Sequence, residues 1–174
     1  ATPHGIDLFQ EGFGSDDDLH AATDELLSAL QTMAKQNTGA IIIITPTTMD
    51  SNILETGTEL NAKISAPLLV SIFNTKAPLH DGAVIVKGNK IIAAGCYLPL
   101  SQEQTLAKEL GTRHRAALGI TELNPTVTAI VVSEETGIIT AVYDRQIKRY
   151  LDGQNLTKAL QYAYNMELPS SRDT

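Results

Sequence analysis

Three short stretches hold side chains whose types and spacing suit chemistry on phosphate. In Leu79-His80-Asp81-Gly82-Ala83 an imidazole stands beside a carboxylate, and the glycine after them lets backbone approach a ligand with no Cβ in the way. Such a trio suits a metal–phosphate site; its purely structural reading is a turn at Asp81-Gly82 with His80 as its hydrogen-bonded neighbour. In Gly111-Thr112-Arg113-His114-Arg115-Ala116-Ala117, Thr112 can cap a helix while the next three residues place donors in its first turn. Cations are disfavoured at the positive end of a helix, so two arginines there call for an anion. Phosphate is the natural one, because guanidinium forks and free helix N–H groups both serve it. The competing reading pairs the arginines with Glu109 or Glu122. Ser133-Glu134-Glu135-Thr136-Gly137 reads as a turn between strands. Its carboxylates are a solvated rim taken alone, and a source of one more ligand for a divalent ion if His80 and Asp81 lie near. Neither the GxGxxG nor the GxxxxGK[ST] fingerprint occurs, so a triphosphate site here would have another design.

These stretches need strand ends and helix starts to converge, and the hydrophobic pattern supplies both. Ala22, Leu26, Leu27, Leu30 and Met33 recur at helical spacing behind the acidic Asp16, Asp17 and Asp18, with Gly39 as a stop and His20 on the solvated side. Residues 40–45 form a β-branched buried strand, followed by a polar loop over 46–52. Ser65 caps a helix that tolerates Pro67 in its first turn. Residues 83–95 are two strands joined at Gly88-Asn89, and 126–133 and 138–144 are a second strand pair. Residues 102–120 are helical on both sides of a break at Gly111, and Asn155 caps a closing helix. Strands interleaved with helices, two of the connections being tight turns, predict a mixed α/β fold: one domain with a central mixed sheet covered by helices. Its bounds are a flexible lead-in over 1–18, the domain over 19–165 and a tail over 166–174.

A chain of 174 residues, 43% hydrophobic and 19% charged, holds one well-buried core, and no apolar run approaches the roughly 20 residues of a membrane helix. The net charge of −7 argues against a general nucleic-acid binder, so cationic character must be local. The single cysteine, Cys96, excludes an intrachain disulfide and reads as a small buried hydrophobe rather than a nucleophile, which fits a reducing compartment.

Together the motifs resemble the diadenylate cyclase domain, whose signatures DGA and RHR stand here as Asp81-Gly82-Ala83 and Arg113-His114-Arg115. The likeness runs through residues 59–65, 78–101, 108–122 and 131–137, and is weak before Gly39, in the loop after Thr45 and after Tyr143. It implies condensation of two ATP molecules into cyclic di-AMP with release of two pyrophosphates. Under it, Asp81 supports the attacking ribose 3′-hydroxyl, Gly82 and Ala83 lie under the ribose, and Arg113, His114 and Arg115 serve the phosphates with Thr112 and Ser133 beside them. His80, Asp81 and Glu135 match ligands of a divalent ion, Mg or Mn, and Tyr97 and Leu98 match the adenine end. The resemblance further implies a transient homodimer as the active unit. It is to the branch in which the domain follows membrane helices, which implies a cytoplasmic domain of a protein anchored to the cell membrane by a segment outside this sequence. A regulatory module that holds ATP or a cyclic dinucleotide, or a metal-dependent phosphohydrolase, are the alternatives.

Overall fold

The computed structural model describes residues 15–102, 111–149 and 151–165; the rest of the expected lead-in and tail, and the expected helix before Gly111, lie outside the described residues. The elements run α1 (Asp16–Lys35), β1 (Ala40–Ile44), α2 (Ser51–Leu54), β2 (Thr58–Lys63), α3 (Ala66–Ile72), β3 (Ala83–Lys87), β4 (Lys90–Cys96), α4 (Thr112–Leu123), β5 (Thr128–Val132), β6 (Ile139–Tyr143), β7 (Gln146–Lys148) and α5 (Gly153–Ala163). The strands form one seven-stranded sheet in the order β2-β4-β3-β1-β5-β6-β7. Strand β1 runs parallel to β3 and antiparallel to β5, and every other pairing is antiparallel, which makes this the mixed sheet that the pattern predicts.

Every residue of β1 is buried, which explains why it reads as a continuous apolar run instead of an alternating one. Ala40, Ile42 and Ile44 join the core under α1, α3 and α5, while Ile41 and Ile43 join the core under α4. Burying each isoleucine side chain stabilises the fold by about 1.5–3 kcal/mol, so this short strand anchors both layers.

The strand directions gather one end of the sheet. Ala83 at the start of β3 lies opposite Cys96 at the end of β4, Ala40 opposite Val132, and Val132 opposite Ile139. The loops before β1 and β3, after β4 and between β5 and β6 therefore share that end.

Local details depart from the sequence reading. Helix α1 begins at Asp16 with Ser15 as its cap, so Asp16–Asp18 belong to the helix and not to a lead-in. Its far end is closed by Asn37, not by Gly39: Asn37 takes the left-handed conformation, with φ of 51°, and the Thr38 and Asn37 N–H groups return to the Met33 and Ala34 carbonyls. Asp152, not Asn155, caps α5, its carboxylate accepting from the Asn155 N–H at 2.8 Å. Ser65 caps α3 as expected. The loop expected over 46–52 contains the start of α2, and β2 and β7 were not foreseen.

Gly119 fixes how α4 approaches the loop after β4. A Cβ there would run into the Pro99 carbonyl, with the Pro99 carbonyl carbon only 2.7 Å away. Alanine in a helix interior normally gains about 1 kcal/mol over glycine. Here the backbone clash opposes it, at a cost of about 1–3 kcal/mol or more. Gly119→Ala is expected to lower the melting temperature by at least about 3 °C in a circular dichroism melt; an increase would mean that the loop yields freely.

Candidate active site

At the gathered sheet end a cavity of about 370 Å³ is lined by Asp81, Gly82 and Ala83 on one side, Tyr97, Leu98 and Leu100 on another, and Thr112, Arg113 and Glu134 on a third. Its floor is apolar, from Ile41, Ala83, Ala116 and the buried Cys96. Burial pushes the Cys96 thiol up to about 11, so it stays a protonated wall atom. Tyr97 is 62% exposed, with its ring free to meet a flat partner. Its N–H donates to the Thr56 hydroxyl at 2.8 Å, and that hydroxyl donates to the Ile53 carbonyl at 2.6 Å, so α2 sets the position of this wall. Gly82 is needed for a reason other than ligand approach. Its φ is +113°, and a Cβ would meet Gly95 carbonyl carbon at 2.7 Å and Cys96 carbonyl oxygen at 2.9 Å, so the missing side chain faces β4.

A second cavity, of about 200 Å³, adjoins the first: Thr112, Arg113 and Glu134 line both. Its walls are the start of α4 from Gly111 to His114, the turn from Ser133 to Thr136, and Arg149. Gly111 is the N-cap and offers no side-chain cap, which places Thr112 in the first turn and corrects its expected capping role. The uncapped N–H groups of this turn give the wall a positive end. The Arg113 guanidinium occupies the space that a side chain on Gly39 would fill, with its central carbon 2.5 Å from that Cβ position. It pairs with Glu134 at 3.6 Å; Glu134 is 62% exposed, so the pair is worth at most about 1 kcal/mol and leaves the guanidinium available to an anion. The Ser133 hydroxyl accepts from the Glu135 and Thr136 N–H groups at 3.2 and 3.3 Å, and the Asn37 amide donates to the Glu135 carbonyl at 3.3 Å, which ties the turn to the end of α1.

The structure thus brings Asp81, Gly82, Ala83, Tyr97, Leu98, Thr112 and Arg113 to one cavity, and Thr112, Arg113, His114, Ser133 and Glu135 to its neighbour. Two expected site residues line neither. Arg115 lies one helical step past the cavity wall: its carbonyl accepts from the Ser101 N–H at 3.0 Å, and its Nε is buried with no hydrogen-bond partner among the described residues. His80 donates from Nδ1 to the Ala77 carbonyl at 2.7 Å. The expected pairing of the arginines with Glu122 does not form, since Glu122 accepts from the Ser101 hydroxyl at 2.7 Å; Glu109 is outside the described residues. Among the described residues, no three His, Cys, Asp or Glu converge as a metal cluster. Arg149 was not foreseen, and its stretch carries no motif that would have flagged it.

Burial, then the charges of Arg149 and Arg113, hold the His114 imidazole below its ordinary value of 6.5. The unfolded chain binds this proton near pH 6.5 and the folded one only at lower pH. Stability from neutral His114 is therefore complete above that value and lost as pH falls through the folded value. Between about pH 7.5 and 5 the wild type is expected to lose more of its melting temperature than His114→Gln does; parallel curves would refute the assignment.

The family model described as DisA bacterial checkpoint controller nucleotide-binding, the DAC domain, matches residues 27–147. A diadenylate cyclase of Listeria monocytogenes is 49% identical over 141 residues, 81% of this chain and 51% of that protein. The cyclic di-AMP synthase CdaA of Bacillus subtilis is 44% identical over 151 residues, 87% of this chain and 54% of that protein. The chain spans about half the length of these relatives. A crystal structure of a doubly cysteine-substituted DacA from Staphylococcus aureus superposes with a TM-score of 0.81 at 38% identity, over 86% of this chain and 99% of that one. A Bacillus cereus structure described as a hypothetical membrane spanning protein gives 0.70 at 39% identity, over 75% of this chain and 64% of that one. With the DGA and RHR motifs at a shared sheet end and the model matching most of its length, the chain belongs to the DAC family of nucleotide-binding domains.

Proposed function

We propose that this domain is a diadenylate cyclase that condenses two ATP molecules into cyclic di-AMP and two pyrophosphates. The observation that carries the reading is the pair of cavities meeting at Arg113 and Glu134. The larger, with apolar walls and an exposed tyrosine, suits a nucleoside. The smaller, at a helix start with two guanidinium groups, suits the phosphates that follow it. Relatives named diadenylate cyclase and cyclic di-AMP synthase are 49% and 44% identical to this sequence over 81% and 87% of its length.

In the reaction each ribose 3′-hydroxyl attacks the α-phosphorus of the other ATP, its proton leaves, and the bond to pyrophosphate breaks; two such steps close the ring. Asp81, exposed at the mouth of the nucleoside cavity, holds the hydroxyl and accepts its proton. Arg113 and the N–H groups of α4 stabilise charge on the phosphates. A divalent ion, Mg or Mn, would neutralise charge on the triphosphate and activate the hydroxyl when bound. Of the three expected ligands the adjacent His80 and Asp81 would offer it a site, because the Ala77 carbonyl can only accept, so Nδ1 of His80 carries the proton and Nε2 keeps a lone pair; Glu135 lines the neighbouring cavity and does not converge with them.

The DGA and RHR motifs each occur once in the sequence, so the two ATP molecules come from two copies facing each other about a two-fold axis, a transient homodimer. Tyr97 and Leu100, exposed at the rim, are apolar surface that such a partner would cover. Among the described residues no helix is long and apolar enough to cross a membrane. The relatives' greater length, and the membrane-spanning description of the Bacillus cereus protein, support a full-length protein anchored to the membrane, and the proposal puts this domain on the cytoplasmic side, where its substrate would be.

Incubated with ATP and Mg or Mn, the protein is expected to yield cyclic di-AMP and pyrophosphate by mass. Orthophosphate or a linear nucleotide would favour hydrolysis, and unchanged ATP a binding module. Asp81→Asn is expected to keep less than about a tenth of the rate while still binding ATP, a barrier increase of more than ~1.4 kcal/mol. In the dilute range the rate should climb with nearly the square of enzyme concentration; constant specific activity where sedimentation finds only monomer would count against the dimer. Gly39→Ala, which displaces the Arg113 guanidinium without touching a ligand, should weaken ATP binding several-fold, read by calorimetry, with the melting temperature changed by no more than about 3 °C.

A further inference from the structure

We propose that Arg149, a residue outside the DGA and RHR motifs, selects for the nucleoside triphosphate by binding its terminal phosphates, and so holds the pyrophosphate that leaves. The inference rests on the nucleotide-binding reading of the two cavities and adds to it a residue and a specificity. Arg149 follows the edge strand β7, and Arg145 and Lys148 beside it make the stretch look like a charged sheet edge. Sheet order brings it to the site. Strand β7 pairs with β6, whose start lies at the gathered end next to the Ser133–Thr136 turn, and the chain leaving β7 returns to that end.

There Arg149 lines the smaller cavity opposite the start of α4, together with Arg113, His114 and Ser133. Its charge is felt across the cavity at His114, where burial comes first and the charges of Arg149 and Arg113 follow among the causes that hold the proton affinity down. Arg113 lines both cavities, whereas Arg149 lines only the smaller one. A ligand with its nucleoside in the larger cavity meets Arg113 first and Arg149 last. Arg113 therefore serves the phosphate nearest the ribose, and Arg149 serves those further out. The volume agrees, since about 200 Å³ is too small for a second nucleoside but accommodates a phosphate chain. A guanidinium binds such a group through two parallel N–H···O bonds, which a lysine cannot reproduce.

The test compares wild type, Arg149→Gln and Arg149→Lys by calorimetry with 3′-deoxyadenosine tri-, di- and monophosphate, which lack the attacking hydroxyl and cannot turn over. Arg149 is exposed, so neither substitution threatens the core, and melting curves check this. Arg149→Gln is expected to weaken triphosphate binding by about tenfold or more while monophosphate affinity stays within about twofold, and Arg149→Lys to recover only part of the loss. With ATP, KM should rise more than kcat falls. Equal losses for all three nucleotides would reveal a structural role and overturn the proposal, as would an unchanged preference for the triphosphate. Failure of the cyclase reading is separate: it would appear as absence of cyclic product from wild type, whatever Arg149 does to the affinity ratios.

Discussion

The Arg113 guanidinium lies in the space that a side chain on Gly39 would fill, and the layout of the site depends on that placement. A long cationic side chain at the first turn of a helix would normally swing away from the positive helix end. Here it is held across the start of β1, between the two cavities, with an exposed carboxylate as a weak counter-charge. Three elements must agree for this to happen. Helix α1 must stop early, which Asn37 arranges. Strand β1 must start immediately after a glycine. Helix α4 must pack tightly enough on the far face to deliver residue 113, which Gly119 against Pro99 allows.

The sheet turns these local facts into a site. Because β1 and β3 are parallel to each other and antiparallel to β4 and β5, segments more than fifty residues apart in sequence end at the same edge. The turn after β5 is further tied to α1 through the Asn37 amide and the close approach of Gly137 to the Ala34 carbonyl. Both walls of the smaller cavity thus rest on elements that are themselves anchored in the core.

Much of this was legible from residue pattern alone, and the parts that were not share a physical cause. Strand β1 and the two hairpins announce themselves because burial on both faces leaves a continuous β-branched apolar run. Strand β2 does not: it is an edge strand, mostly exposed, with a register shift between Glu59 and Ala62 and Asn61 in the left-handed conformation. Strand β7 is three residues long and leaves no period to read. Gly39 was read as a helix stop because glycine usually is one, yet an asparagine two residues earlier takes the left-handed conformation and frees the glycine for the arginine. Arg149 was hidden because its position depends on strand order, which no local pattern contains.

The RHR triplet shows why a motif contiguous in sequence need not act as one group in space. Successive residues of an α-helix are about 100° apart around the axis, so three in a row cannot all face one cavity. Arg113 reaches the boundary between the cavities and His114 the wall of the smaller one, while Arg115 points past both. Its carbonyl holds the Ser101 N–H, and the Ser101 hydroxyl is held by Glu122 about two turns further along the same helix. Through Ser101, α4 grips the segment that carries Tyr97, Leu98 and Leu100. The link is made by the main-chain carbonyl of Arg115 and the side chain of Glu122, so the helix and the loop after β4 are held at a fixed spacing on either side of the two cavities.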